Sequence, residues 1–248
     1  MPGWPAPPGV RAVATTRCGG VSRAPWDSFN LGAHVGDDPQ AVAANRALLR
    51  RELPAEPLWL SQVHGTGCID AAIAAPGVQA DASFTRQRGV VCAVLTADCL
   101  PGLLCDDRAT VVGIAHAGWR GLAEGVIEAT VAAMGEPGTR LMAWLGPAIG
   151  PQAFEVGGEV REIFVDRDAQ AASAFTVATS DKWLCDIYQL ARRRLDALGI
   201  RRVTGPRSGI PGMQSPSADS CSVADAKQFF SYRREGVTGR MASLIWLE

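Results

Sequence analysis

The stretch Gly113-Ile114-Ala115-His116-Ala117-Gly118-Trp119-Arg120-Gly121 reads as a strand that ends, a turn, and a helix that begins. Thr110 to Ala115 is rich in β-branched and apolar residues, the composition of a buried strand. Gly118 to Gly121 turns the chain into a helical run reaching Met134, apolar nearly all round and so buried on more than one side. Upstream, Val90 to Thr96 reads as a buried strand and Gly102 to Cys105 as another. Downstream, Leu141 to Leu145 reads as a strand closed by Gly146-Pro147 and Gly150-Pro151. Asp38-Pro39 opens a helix that carries Val42, Leu49 and Leu53 on one face up to Pro54. A second amphipathic helix is expected from Trp183 to Leu198, with Leu184, Ile187, Tyr188, Ala191, Leu195 and Leu198 sharing a face and Gly199 stopping it. Leu244 to Leu247 reads as a final strand. The expectation is one α/β domain over residues 1–248, a mixed sheet flanked by helices, with a loose Pro-rich arm at about 1–9.

Composition narrows the class. Apolar residues make up 47% and charged residues 20% of 248, an ordinary globular balance. The net charge of −1 provides no basic field for nucleic acid or an acidic membrane, whereas a small substrate held by a local arginine is compatible with it. Met1 to Pro8 lacks the basic and apolar regions of an export signal, and the apolar run Val90 to Ala97 is too short to span a bilayer. The seven cysteines form no C-x-x-C pair. Their scatter argues for a reducing, cytoplasmic setting rather than a disulfide framework.

Histidine is scarce, at three residues: His34, His64 and His116. His64 and His116, with Cys99 between them, each stand at an abrupt end of an apolar stretch followed closely by Gly or Pro. They are 35 and 17 residues apart, singletons on separate elements, unlike the paired ligands of a structural zinc site. Three protein ligands leave zinc one open position, the catalytic pattern. The alternative is that both histidines are hydrogen-bonded turn residues and Cys99 is core. Arg120, at the start of a helix, suits a phosphate or carboxylate, although a solvated arginine or an ion pair is the commoner fate. Asp81 and Asp98 are candidates to orient ligands or accept protons, with capping or turn formation as the plainer account. His34 lies in a loop whose turn chemistry explains it. No phosphate-binding glycine loop, H-E-x-x-H, G-x-S-x-G or nucleobase-deaminase signature is present.

Several blocks together resemble one family. They are Thr15-Thr16-Arg17 with Gly19-Gly20-Val21-Ser22, Asn30-Leu31-Gly32-Ala33-His34-Val35-Gly36-Asp37-Asp38, Gln62-Val63-His64-Gly65, Thr96-Ala97-Asp98-Cys99-Leu100-Pro101 and His116-Ala117-Gly118-Trp119-Arg120-Gly121. Leu145 to Pro151 with Phe154-Glu155-Val156-Gly157, and Phe230 to Arg234 with Gly236 to Met241, complete the set, in order along nearly the whole chain. It is similar to the YfiH family, known as a laccase-like multicopper polyphenol oxidase domain, purine nucleoside phosphorylase or peptidoglycan editing factor. The resemblance implies that His64, Cys99 and His116 bind a catalytic zinc. It also implies phosphorolysis of adenosine, inosine and methylthioadenosine, together with adenosine deamination, so purine nucleoside and phosphate are the expected partners. One departure is that Pro151-Gln152-Ala153-Phe154 lacks the cysteine the family often carries there.

Three other readings remain. Two histidines and a cysteine also suit a single copper, and a copper polyphenol oxidase is the second enzyme reading. A full multicopper centre needs more imidazoles than three. A peptidoglycan-precursor editing amidase is the third, and a non-catalytic metal-binding protein the fourth.

Overall fold

Six consecutive buried residues form β4 (Val91–Thr96), and alternate side chains of that strand serve two different cores. Val91, Ala93 and Leu95 pack with Leu31, Leu49, Leu53, Leu244 and Trp246, whereas Cys92 and Val94 pack with Leu103, Ile114, Trp144 and Ile245. A strand covered on both faces loses the polar alternation of a surface strand, which is why this stretch is continuously apolar. The computed structural model describes residues 4–206 and 221–248.

Two sheets stand face to face. One is antiparallel, in the order β1 (Val10–Ala14), β12 (Met241–Leu247), β4. The other has six strands: β11 (Arg202–Thr204), β7 (Leu141–Leu145), β5 (Leu100–Asp106), β6 (Val112–Ala117), β3 (Ala82–Thr85) and β2 (Cys68–Asp70). It is mixed, because β11 on β7 and β2 on β3 are parallel and the other pairs antiparallel. The overall class is thus mixed α/β, as expected, with the strands divided between sheets. On the outer face of the six strands lie α2 (Trp119–Glu124), α3 (Val126–Met134), α4 (Gly158–Arg167) and α5 (Ile187–Ala197). A small antiparallel sheet of β8 (Glu155–Gly157), β10 (Lys182–Cys185) and β9 (Phe175–Val177) adjoins them. The opposite layer carries α1 (Pro39–Arg50), where Asp38 caps the Gln40 N–H and Pro39 occupies the first turn. A short α6 (Tyr232–Glu235) precedes β12.

Three expectations are corrected. The run from Gly118 to Met134 is two helices, broken at Gly125, whose φ of 108° only glycine adopts readily. The helix expected from Trp183 begins at Ile187. Trp183 and Leu184 belong to β10, and the Asp186 side chain accepts the Gln189 N–H to start the helix afresh. The Pro-rich arm is not loose where it is described. Trp4 and Ala6 pack on the inter-sheet core and Val10 donates to the Pro7 carbonyl; residues 1–3 lie outside the described residues. Among the described residues no helix is long and apolar enough to cross a membrane.

Candidate metal centre

The chain passes from one sheet to the other through Ala97, Asp98 and Cys99, between β4 and β5. Asp98 makes this corner with φ at 90°, a conformation that L side chains rarely adopt. Its carboxylate holds the corner closed, taking hydrogen bonds from Ser222 Oγ (2.5 Å) and the Arg233 backbone N–H (2.7 Å). Cys99 therefore emerges at the start of β5, beside the end of β6, where Pro101 pairs with His116. On the other side β3 pairs with β6, and the His116 N–H donates to the Asp81 carbonyl. One end of the six-stranded sheet thus collects Asp81, Cys99 and His116.

His64 comes from a loop, and Asp81 fastens that loop. The buried Asp81 carboxylate accepts the successive backbone N–H groups of Val63 (3.1 Å), His64 (2.9 Å) and Gly65 (2.8 Å), and also His116 Nδ1 at 2.8 Å. One carboxylate therefore orients one histidine through its ring and the other through its backbone, which turns at φ 61°. The two imidazoles meet edge to face at 4.8 Å, and Cys99 Sγ lies 3.8 Å from His64 Nε2. One donor atom from each of His64, Cys99 and His116 falls within 4.8 Å of the other two. Gly118 permits the approach, because a Cβ there would sit 2.9 Å from Cys99 Sγ and 3.1 Å from His64 Cδ2.

Electrostatics follow the geometry. Burial would raise the Cys99 thiol, but the charge of His116 and hydrogen bonds from both histidines outweigh it and bring it down to about 6. Burial likewise disfavours the His116 imidazolium, yet the Cys99 charge and the Asp81 hydrogen bond hold it up at about 9. Asp81 is pushed up by burial and carried further down by the N–H groups it accepts. A cysteine and two imidazoles, one oriented by a carboxylate, are a donor set that could hold a metal ion. For tetrahedral zinc with bonds of about 2.0–2.3 Å, neighbouring ligand atoms stand about 3.6 Å apart, close to the Cys99–His64 spacing.

These groups line a cavity of about 520 Å³, within the usual range for a small-molecule site. Trp119, Ile149, Phe154 and Ile187 give it apolar walls, and Arg120, Arg233 and Arg240 bring cations to it. Arg120 is exposed, its guanidinium 4.4 Å from the Trp119 ring centroid. The helix behind it, α2, has only six residues, so the expected helix-terminus contribution is small. His34 also lines the cavity but stands outside the donor cluster. Desolvation, then the Arg240 and Arg46 charges, push its imidazole down. Gln62, Tyr232, Arg233 and Arg240 were not singled out by residue type or spacing. Nothing local distinguishes them, because the fold brings them in from distant segments.

The family described as multi-copper polyphenol oxidoreductase laccase matches residues 11–248, and the chain belongs to it. A purine nucleoside phosphorylase of Pseudomonas aeruginosa is 53% identical over 248 residues, covering 100% of this chain and 97% of its own length. The Escherichia coli purine nucleoside phosphorylase YfiH is 50% identical over 250 residues, covering 100% and 98%. Among solved structures, a Neisseria meningitidis protein superposes with a TM-score of 0.92 at 48% identity, covering 100% of this chain and 98% of its own. YlmD from Geobacillus stearothermophilus superposes with a TM-score of 0.88 at 28% identity, covering 99% and 94%.

Proposed function

We propose that this chain is a zinc-dependent purine nucleoside phosphorylase acting on adenosine, inosine and methylthioadenosine, and that it also deaminates adenosine. We take residues 1–248 as one domain working in the cytoplasm. The observation that carries the reading is the convergence of His64, Cys99 and His116 in a cavity with apolar walls and several cations. The names of the full-length relatives point the same way.

His64, Cys99 and His116 would hold the zinc, which supplies, when bound, Lewis-acid polarisation at the reacting centre. Asp81 holds His116 through Nδ1, so that Nε2 is the ring atom His116 would offer to a metal. Asp98 acts on the site through the corner it closes, its oxygens being engaged by Ser222 and Arg233, rather than as a proton acceptor. Trp119, Phe154 and Ile187 exclude water and give the flat purine an apolar wall. Arg120, exposed at the cavity wall, adds positive charge that would attract an anionic substrate.

The test is elemental analysis of protein purified without added metal, followed by chromatography of adenosine incubations with and without phosphate. About one zinc per chain is expected, with adenine and ribose 1-phosphate formed with phosphate and inosine without it. Nucleosides recovered unchanged from zinc-loaded protein would end the reading. Tightly bound copper with oxidation of a phenol would put the polyphenol oxidase in its place.

A further inference from the structure

We propose that Arg240 is the phosphate-binding residue of this cavity, its guanidinium held ready by the Asn30–Gly32 loop. The inference rests on the phosphorylase reading and assigns its second substrate to a particular side chain.

Arg240 is unusually well fixed for an arginine facing a cavity. Its backbone N–H donates to Asn30 Oδ1 (2.8 Å), and its carbonyl accepts the Leu31 N–H (3.1 Å). Asn30 itself is fully buried and also accepts the Gly32 N–H. The stem of Arg240 lies against the Gly32 backbone so closely that a Cβ on Gly32 would stand 2.7 Å from Arg240 Cγ. At the head, Nη1 donates to the carbonyls of Thr238 and Gly239, at 3.0 Å each. The loop that the sequence marked between Asn30 and Asp38 thus acquires a role as a buttress.

What remains free is the other edge. Among the described residues, Nε and Nη2 of Arg240 have no hydrogen-bond partner, and no carboxylate lies within ion-pairing distance of the guanidinium. That Nε–Nη2 edge is the fork with which arginine grips two oxygens of one anion, and rigid anchoring lowers the entropy lost on binding. Asp98, a carboxylate lining the same cavity, is already engaged by Ser222 and Arg233. The other cavity arginines are placed differently. Arg233, like Arg240, uses Nη1 on a carbonyl, that of Glu155, but Arg233 and Arg120 are both exposed, whereas Arg240 is half-buried, with its guanidinium 6.0 Å from the Tyr232 ring centroid. A fixed cation with its bidentate edge unpaired, in the cavity that holds the three donor side chains, matches inorganic phosphate.

The experiment uses the metal-loaded protein and reads inorganic phosphate binding by calorimetry beside phosphorolysis kinetics. Arg240→Gln should lose the binding heat and raise KM for phosphate about ten- to a hundredfold, with a much smaller change in KM for adenosine. Arg240→Lys should recover only part, since an ammonium keeps the charge and loses the fork. Gly32→Ala should weaken phosphate in the same direction while leaving the guanidinium in the chain, which keeps the test alive if Arg240→Gln fails to fold. Unchanged phosphate affinity in folded Arg240→Gln or Gly32→Ala would overturn the assignment and leave the phosphorylase reading standing. Phosphate binding that depends on Arg240 in a protein that turns over no nucleoside would do the reverse. Loss of adenosine monophosphate binding in Arg240→Gln with inorganic phosphate binding intact would assign the arginine to a substrate phosphoryl group, and the proposal would fail.

Discussion

Replacing Asp81 by asparagine keeps the shape of the side chain and removes half of its accepting capacity. Oδ1 takes His116 Nδ1 and the His64 N–H, while Oδ2 takes the Val63 and Gly65 N–H groups. An amide retains one oxygen, so either pair of donors must face an NH2 group. Hydrogen bonds to a charged partner contribute about 1.5–3 kcal/mol each, so losing two costs about 3–6 kcal/mol, divided between the fold and the metal. If the retained oxygen stays on His116, the His64 loop loosens. If it stays on the loop, His116 loses the partner that sets its tautomer. Either way one ligand is disoriented, and zinc affinity should fall about ten- to a hundredfold. Competition against a chromogenic chelator measures this, and melting of the metal-free variant separates the folding share. Zinc affinity within about twofold of the parent protein, in a variant that is measurably less stable, would refute Asp81 as the residue that sets the ligands.

Cys99→Ala should lower zinc occupancy on elemental analysis, whereas Cys92→Ala and Cys105→Ala should not, because burial pushes both of those thiols up to about 12; equal losses would mean that the wrong cysteine has been chosen. Gly118→Ala inserts a Cβ at 2.9 Å from Cys99 Sγ, an overpacking cost of about 1–3 kcal/mol. Zinc should bind roughly tenfold or more weakly to that variant, and parental affinity would show that the backbone yields without cost. Asp106 is buried; burial raises its carboxyl, but hydrogen bonds from Thr110 and Val111 bring the net shift down. A carboxyl depressed in the folded state stabilises above its unfolded value near 4, and that contribution is lost as pH falls below it. Asp106→Asn should therefore be less stable than the parent at pH 7, with the gap narrowing below about pH 4 in urea melts. A gap that is constant with pH would remove Asp106 from the acid-sensitive groups.

Where one periodicity dominated, the fold was legible. The Leu141–Leu145 strand and the Asp38-capped helix fall where the sequence puts them, because their boundaries are written in prolines, glycines and a cap. Trp183 and Leu184 misled for a physical reason. Their spacing from Ile187 and Tyr188 satisfies a helical face, yet pairing with β8 and β9 claims them first. The metal-capable triad was visible because histidine is rare here and each member ends an apolar run. The double grip of Asp81 was not, since three of its four bonds go to backbone groups, which leave no trace in residue type. Arg240 was hidden for a related reason. Its value lies in what Asn30 and Gly32 do to it from some two hundred residues away.

β12 occupies the middle of its sheet, between partners at residues 10–14 and 91–96, and Arg240 immediately precedes it. β12 must therefore insert between two strands made long before it, and its pairing with β1 closes a loop that spans nearly the whole sequence. Pairings so distant in sequence belong to high-contact-order topologies, which fold slowly because chain entropy is spent before the contacts reward it. Until the insertion is complete, β1 and β4 present unpaired edges and the arginine has no buttress. Cys99 and His116 meet through the pairing of β5 with β6, a connection local in sequence, whereas the Arg240 side of the cavity depends on the long-range pairing of β12.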